Sequence, residues 1–373
     1  MNTFIINKMS KFLFVPFGVG FGHATRVHSI INKMKKSDKI KVASYGNAYN
    51  YFRLRGFETE KISGMKISYR SFNFELSSTL LNALSYPFTF YKDYGYLSKI
   101  IENFKPDVII SDSEPSSFIT AGIKNIKRVM VMNILNVLHE KKYFRKEELK
   151  KFSRQIYVLK QIEKNVIKRA DRLIIPSLYK YKTDEKINLV PPIIRENILN
   201  LPSPKKLIEK LKPKNNFYLV SLGGSDMTRE SYSSFLRILS EFKDINFVLS
   251  SNYCTRKRIN FKNITIFPLI KNFTEYLKIC EGIICTAGFS TISEALAFKK
   301  PMFLIPVNNH VEQFANAVSV RRLNFGEFYS GNFKGSSLKK ELSNFFEIKD
   351  SFDKFKSKLN GAEKSAEIIY SLV

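Results

Sequence analysis

A histidine closing a glycine turn is the first group in this sequence with chemistry to offer. The segment Gly18-Val19-Gly20-Phe21-Gly22-His23-Ala24-Thr25-Arg26 follows directly on the apolar run Lys11–Pro16. Glycines at a strand's end let the backbone turn sharply and let a ligand approach with no Cβ in the way. Free N–H groups at the start of a following helix favour anionic oxygen. Gly20 and Gly22, with the cation Arg26 a turn further on, are therefore candidates to bind an acceptor or assist a phosphate. The spacing is G-x-G-x-G-H, not the G-x-G-x-x-G of dinucleotide sites. His23 would project from a strand end into a crevice, where an imidazole suits the removal of a proton from a hydroxyl. The alternative is a histidine that caps the helix or packs in the core. Ile109-Ile110-Ser111-Asp112-Ser113-Glu114-Pro115 ends another apolar run in the same half. Asp112 is a candidate to orient His23, and Glu114 to contact an acceptor. Asp112 or Ser113 as a plain helix cap is the competing reading.

Three further stretches lie in the second half. Gly223-Gly224-Ser225 follows the run Phe217–Ser221 and can cradle a phosphate with backbone N–H groups. Cys285-Thr286-Ala287-Gly288-Phe289-Ser290-Thr291-Ile292-Ser293-Glu294 joins an apolar run to a helix pattern through small residues. Gly288, Ser290 and Thr291 place N–H and hydroxyl donors at a helix start, suited to a pyrophosphate. Glu294, one turn in, can accept from both ribose hydroxyls. Thr291 and Glu294 also have capping-box spacing, a role compatible with a ribose contact. The last stretch runs from Pro306 to Ala317. Its Glu312 and Gln313 can bond sugar hydroxyls, or simply favour a helix N-terminus through its dipole.

Such groups work only if an architecture gathers strand ends. Strands are predicted over Lys11–Pro16, Lys39–Ser44, Asp107–Ser111, Val129–Asn133 and Arg172–Ile175. The alternation restarts with Phe217–Ser221, Asn246–Ser250, Ile264–Phe267, Gly282–Cys285 and Pro301–Ile305. Val27, Ile30, Ile31 and Met34 lay one apolar stripe on a helix from Ala24 to Lys36. Continuous apolar strands alternating with helices predict α/β layers, each a parallel sheet covered on both faces. Pro191, Pro192, Pro202 and Pro204 mark Asn188–Pro204 as the linker. Length alone makes two cores the expectation for 373 residues. The expected domains are 1–190 and 200–350, followed by a charged helix in 351–373.

Composition narrows the partners. The formal net charge is +28; residues 1–200 carry 35 Lys+Arg against 17 Asp+Glu, and residues 201–373 carry 26 against 16. A field of this sign attracts pyrophosphate-bearing substrates, anionic lipid headgroups or nucleic acid, and a Lys-rich solvated surface is the plain alternative. No RNP-type aromatic stripe or recognition-helix pattern accompanies the charge, so no nucleic-acid partner is expected. Cys254, Cys280 and Cys285 match no zinc spacing, and their odd number predicts a reduced, cytoplasmic setting. The apolar run Phe12 to Gly22 is 11 residues long and holds three glycines and a proline, short of the roughly 20 that span a bilayer. Any membrane contact is then peripheral. Leu80-Leu81-x-x-Leu84-x-x-Pro87-Phe88, in the more basic half, is either a surface for an anionic lipid-linked acceptor or an ordinary packed helix.

The glycine turn, the Cys285 segment and the Gln313 segment together resemble the two-domain GT-B glycosyltransferases of families 28 and 1, in their MurG-like branch. That family's A/S-G-x-x-T-x-x-E, then a proline at a strand end, then a glutamine-bearing helix start with an N-A pair, is matched by Ala287 to Glu294, Pro306, and Glu312-Gln313-Phe314-Ala315-Asn316-Ala317. The first half resembles it mainly at Gly20-Phe21-Gly22-His23. The resemblance implies two Rossmann-like domains facing each other across a cleft, with the C-terminal helix packing back toward the N-terminal domain. It implies a nucleoside-diphosphate sugar, UDP-linked, as donor, and a glycan or lipid as acceptor. No cofactor and no metal are implied; no D-x-D motif is present, and helix dipoles and cations would neutralise the leaving diphosphate. By the same resemblance Glu294 holds the ribose, Gly288 to Thr291 with Gly223, Gly224 and Ser225 hold the diphosphate, and Glu312 and Gln313 hold the donor sugar. The backbone of Ile270 reads the base. His23, steadied by Asp112, deprotonates the acceptor hydroxyl. Glu312 stands where MurG-like chains often carry a second glutamine, which leaves the sugar's identity open. A nucleotide-sugar hydrolase and an epimerase on the same fold are the rival enzymes.

Overall fold

The computed structural model describes residues 9–65, 69–70, 73–74, 86–195, 198, 200–222, 232–250, 260–268, 270–331, 336–347 and 359–373. The first half runs β1 (Lys11–Pro16), α1 (Gly22–Ile31), β2 (Lys39–Ser44), α2 (Gly46–Arg53), β3 (Thr59–Lys61), β4 (Tyr69–Arg70), β5 (Asn73–Phe74), α3 (Tyr86–Phe104), β6 (Val108–Asp112), α4 (Pro115–Ile123), β7 (Lys127–Val131), α5 (Asn136–Glu140), α6 (Lys146–Arg169), β8 (Arg172–Pro176) and β9 (Ile187–Val190). The second runs α7 (Pro204–Leu211), β10 (Phe217–Ser221), α8 (Tyr232–Ser240), β11 (Asn246–Ser250), β12 (Ile264–Phe267), α9 (Phe273–Ile279), β13 (Gly282–Cys285), α10 (Phe289–Ala297), β14 (Met302–Leu304), α11 (Val311–Arg322), β15 (Gly326–Phe328), α12 (Ser336–Glu347) and α13 (Gly361–Tyr370).

Each half is built on one parallel sheet, ordered β3-β2-β1-β6-β7-β8-β9 in the first and β12-β11-β10-β13-β14-β15 in the second. The pleat of β1 explains why both faces are covered. Phe12 and Phe14 point to one side, against Val27 and Ile30 of α1, Phe52 of α2 and Ile369 of α13. Leu13 and Val15 point to the other, against Leu97 and Ile100 of α3 and Ala121 of α4. Successive side chains of a strand alternate faces, so a strand apolar at every position must be sandwiched. The second sheet repeats the plan. Val220 and Phe303 pack on Phe235 of α8 and Leu342 of α12, while Leu219 and Leu304 pack on Leu277 of α9 and Ile292 of α10.

Two expectations need adjustment. The linker does not begin at Asn188: Ile187–Val190 is β9, the edge strand of the first sheet, paired with β8 through Leu173–Pro176, and the crossing begins after it. The last helix occupies Gly361–Tyr370, and 351–358 lie outside the described residues. That helix does pack back on the first half. Tyr370 meets Phe12 edge-on with ring centroids 5.6 Å apart, and its hydroxyl accepts from Lys35 N at 2.6 Å. A Cβ on Gly361 would lie 1.9 Å from the carbonyl oxygen of Pro191, so only glycine lets the helix start this close to the linker. Cys280 and Cys285 are buried and free; burial pushes the Cys280 thiol up to about 12, which leaves it protonated and inert.

Candidate active site

In each sheet the chain reverses direction of winding beside its central strand, and ligands of open parallel sheets collect at the strand ends there. In the first sheet that point lies between β1 and β6, which pair from Phe12–Val108 to Pro16–Asp112. His23 follows the first of these strands and Asp112 ends the second. In the second sheet it lies between β10 and β13, and the turn from Thr286 to Gly288 follows β13.

His23 Nδ1 is 2.7 Å from Asp112 Oδ1. A carboxylate only accepts and so favours the proton on Nδ1, although Arg26 Nη2, which only donates, also stands 3.0 Å from that nitrogen; with the proton on Nδ1 the lone pair is left on Nε2, as a general base requires. The His23 side chain is 26% exposed and Asp112 is fully buried. Burial alone would push the Asp112 carboxyl up; Arg26 and then His23 outweigh it and hold the group below its ordinary value. Arg26 grips Asp112 in a fork, Nε to Oδ2 at 2.7 Å and Nη2 to Oδ1 at 2.5 Å. Its Nη1 donates to Asn133 Oδ1 at 2.6 Å. The expectation that Arg26 assists a phosphate is thereby corrected: it is buried, with all three guanidinium nitrogens committed inside the protein. Asn133 Nδ2 in turn donates to Glu312 Oε1 at 2.7 Å, so one hydrogen-bonded chain links His23 to the second half.

Helix α10 begins at Phe289, with Gly288 at the N-cap position and no side-chain cap. The first N–H groups of a helix lack intrahelical partners, so this end is an unblocked donor set. Thr291 is the third residue of the helix and not its cap, and the capping-box reading of Thr291 and Glu294 fails on that ground. Glu294 instead receives Arg195 as a fork, Nε to Oε1 at 2.5 Å and Nη2 to Oε2 at 2.6 Å. Arg195 lies in the crossing between the halves, and Tyr51 of α2 feels the charge of both groups. Glu294 thus sits at the junction of the halves. At 2% exposure, a ribose reaches it only if Arg195 gives way or the halves part. Helix α1 also starts without a side-chain cap, and a Cβ on Gly22 would lie 3.1 Å from Ser290 Oγ. Two unblocked helix starts therefore meet. Gly20 has φ +72°, the left-handed region that favours glycine, with open space around it.

The remaining candidates separate. His310 caps α11, accepting from Gln313 N at 3.4 Å. The Gln313 carboxamide oxygen accepts from Val307 N at 3.0 Å, which leaves its NH2 to donate. The Ile270 N–H, expected to read a base, is bonded to Ser250 Oγ at 3.2 Å. Gly223, Gly224 and Ser225 lie outside the described residues, as do Cys254 and Leu80 to Leu84. Sequence reasoning missed Asn133 and Arg195. Asn133 follows the end of β7, the position that had singled out His23 and Asp112; Arg195 carried no signal beyond standing alone among linker prolines.

Glu114 does a different job from acceptor binding. It is fully buried and is the N-cap of α4, accepting from Ser116 N at 3.2 Å and Ser116 Oγ at 2.8 Å. Its Oε2 has no partner among the described residues, and burial raises the carboxyl to about 7. A carboxyl raised in the folded state binds its proton more tightly there, so its contribution to stability is greatest below the unfolded value of 4.5 and falls as pH rises toward 7. The shift corresponds to roughly 3 kcal/mol. Glu114→Gln, which keeps an acceptor for Ser116, is expected to remove most of this loss: wild type melts lower at pH 8 than the variant, and the gap closes at pH 5. Parallel melting curves at both pH values would refute it.

Comparisons with known proteins bear on the family and the fold. The family model for glycosyl transferase family 1 matches residues 10–345. An uncharacterized glycosyltransferase of Methanosarcina mazei is 24% identical over 96% of this chain and 97% of its own length. A UDP-N-acetylglucosamine--N-acetylmuramyl-(pentapeptide) pyrophosphoryl-undecaprenol N-acetylglucosamine transferase of Thermosipho africanus is 23% identical over 84% of each chain. Among solved structures, MurG of Acinetobacter baumannii superposes with a TM-score of 0.64 over 97% of this chain and 99% of that one, at 12% identity. A UDP-glucosyltransferase from Polygonum tinctorium does so with 0.70 over 98% of each, also at 12% identity. The fold is that of the GT-B enzymes, and the chain belongs to glycosyltransferase family 1.

Proposed function

We propose that this glycosyltransferase takes its sugar from a nucleoside-diphosphate sugar, UDP-linked, bound at the start of α10, and passes it to a hydroxyl activated by His23. The observation that carries the reading is the meeting of two unblocked helix starts at Gly22 and Ser290, one bearing the His23–Asp112 pair and the other lying a turn from Glu294. His23 Nε2 takes the proton of the acceptor hydroxyl. The acceptor oxygen bonds to the anomeric carbon as the bond from that carbon to the diphosphate oxygen breaks. The departing negative charge is met by the N–H groups of α10. We assign this neutralisation to the uncapped helix start.

A ligand that binds only the folded chain raises its melting temperature. Melting curves with UDP, ADP, GDP and dTDP at 1 mM are expected to show the largest rise with UDP. No rise with any of them, or a rise equal for all four, would overturn the donor assignment. Incubation with donor alone separates the rival hydrolase, which would release free sugar as fast without acceptor as with it.

The acceptor is proposed to be carried at an anionic membrane surface. Phe88 and Tyr91 on α3 and Ile119 and Ile123 on the adjoining α4 are exposed, as are Lys92 and Lys99 of α3 and Lys127 of β7. No described helix is long and apolar enough to cross a bilayer, so contact here would be by surface adsorption. The protein is expected to sediment with phosphatidylglycerol vesicles at low salt and to release at 1 M salt. Equal sedimentation with neutral phosphatidylcholine would contradict the charge-led contact.

A further inference from the structure

Helix α11 belongs to the second half by sequence, yet the first half holds it at both ends. At its start the Gln155 side chain accepts from Val311 N at 3.2 Å and donates to Asn309 O at 2.8 Å, and Asn133 bonds Glu312. Along its length Val311, Phe314 and Ala315 are packed into a cluster with Val137, Phe144, Phe152, Ile156 and Leu159 of the first half. At its end Arg322 reaches across to Glu140 of α5, Nη2 to Oε1 at 2.9 Å, with its guanidinium 4.5 Å from the ring centre of Tyr143 and 4.4 Å from that of Tyr179. The middle of the helix touches the donor turn, through Asn316 Nδ2 to Ala287 O at 2.9 Å.

The Arg322–Glu140 pair is half made. Glu140 is fully buried, yet its Oε2 has no hydrogen-bond partner among the described residues, and neither has Arg322 Nε. These are the two atoms that would close a fork of the kind Arg195 makes with Glu294. A buried carboxylate with an empty oxygen and a guanidinium with an idle donor, already in contact, gain a charge-assisted hydrogen bond from a small relative movement. Room for that movement exists: a cavity of about 460 Å³ opens beside the helix end, between Tyr143 and Arg145 of the first half and Arg321, Tyr329 and Glu341 of the second.

We propose that Arg322 and Glu140 are positioning residues for the donor sugar, setting through α11 the placement of Glu312 and Gln313 relative to His23. The inference rests on the glycosyltransfer reading above. It gives the pair a distinct signature. The nucleotide is held on α10 and its turn, which α11 touches through Asn316, whereas the sugar is met by the start of α11 itself, so loosening the far end of α11 shifts affinity for the sugar more than affinity for the nucleotide.

The test uses the full-length chain with Arg322→Lys, which keeps the charge and loses the fork and the stacked plane, and Glu140→Gln, which keeps the shape and one acceptor. Because either change could loosen the fold, melting temperatures are recorded, and the comparison is between two ligands of the same sample. The Kd of UDP is expected to stay within about twofold of wild type in both variants, while the KM of the nucleotide-sugar rises about tenfold, less than the roughly 10²-fold that a misplacement of about 1 Å can cost. Equal rises for UDP and nucleotide-sugar, or no rise in either, would overturn the positioning role. If wild type binds UDP-sugars no better than buffer, the donor reading itself falls and this one with it; if wild type binds and transfers normally and the variants match it, the positioning role alone falls.

Discussion

Replacing His23 with glutamine is expected to lower the rate of transfer by about 10²–10⁴-fold, the range over which a positioned general base acts, with UDP affinity changed by no more than about twofold. Glutamine keeps a polar side chain of comparable reach and can still approach Asp112, so folding is preserved. It cannot take a proton. The expected loss therefore falls on kcat at saturating donor and not on donor binding, because His23 stands on α1 and the donor groups on α10 and α11. A loss shared equally between kcat and UDP affinity would place His23 in binding. An unchanged rate would remove it from the mechanism, leaving the imidazole as a packing partner of Phe17, whose ring centroid is 5.4 Å away.

The second large effect concerns stability. Asp112→Ala is expected to destabilise the protein by about 3–5 kcal/mol, the usual result of removing one partner of a buried ion pair, and to lower its melting temperature by roughly 5 °C. Asp112 is fully buried and Arg26 is 5% exposed, so the alanine variant leaves a buried guanidinium facing no carboxylate. Asp112→Asn should cost much less, since its carboxamide oxygen still accepts from Arg26, although its NH2 then meets either Arg26 or His23 as a second donor. The sign with pH follows from the lowered Asp112 value: the contribution is present above the unfolded carboxylate value and lost as pH falls through the folded one. Calorimetry of wild type and Asp112→Ala from pH 7 down to pH 3 should show the gap narrowing at the acid end. A gap below about 1 kcal/mol at pH 7 would mean that the network contributes as little as an exposed pair.

What the sequence made legible, and what it did not, divides along physical lines. The central strands were readable because burial on both faces demands unbroken apolar runs: Phe217–Ser221, Asn246–Ser250 and Gly282–Cys285 fall where those runs fall. Edge strands were less so, although Ile264–Phe267, at the edge of the second sheet, was still legible. Thr59–Lys61 holds no apolar residue, and Asn188–Val190 of β9 falls within the proline-rich stretch because that strand is largely half-buried and so carries no long apolar run. In the site, groups that chemistry places at strand ends could be named one by one, which is how His23, Asp112 and Glu294 were reached. Their partners could not. Arg26 was visible as a cation near a glycine turn, but nothing local says that Asp112, 86 positions away, claims it first. Glu114 reads as an acid in a site motif until its burial shows it to be a helix cap. Arg195, Asn133, Glu140 and Arg322 act across distances of 99, 179 and 182 residues, and contacts that long are properties of the packed halves and not of any sequence window.

The claim on which the donor assignment stands is that the Glu294 carboxylate grips a ribose at the start of α10. Isothermal titration of UDP and 2′-deoxy-UDP into wild type and Glu294→Ala tests it most directly, because the ratio of the two affinities cancels any general weakening caused by the substitution. Wild type is expected to prefer UDP by about tenfold, the worth of a hydrogen bond to a charged acceptor, and the variant to bind both alike. A wild type that does not distinguish them, or a variant that keeps the full preference, would contradict the account.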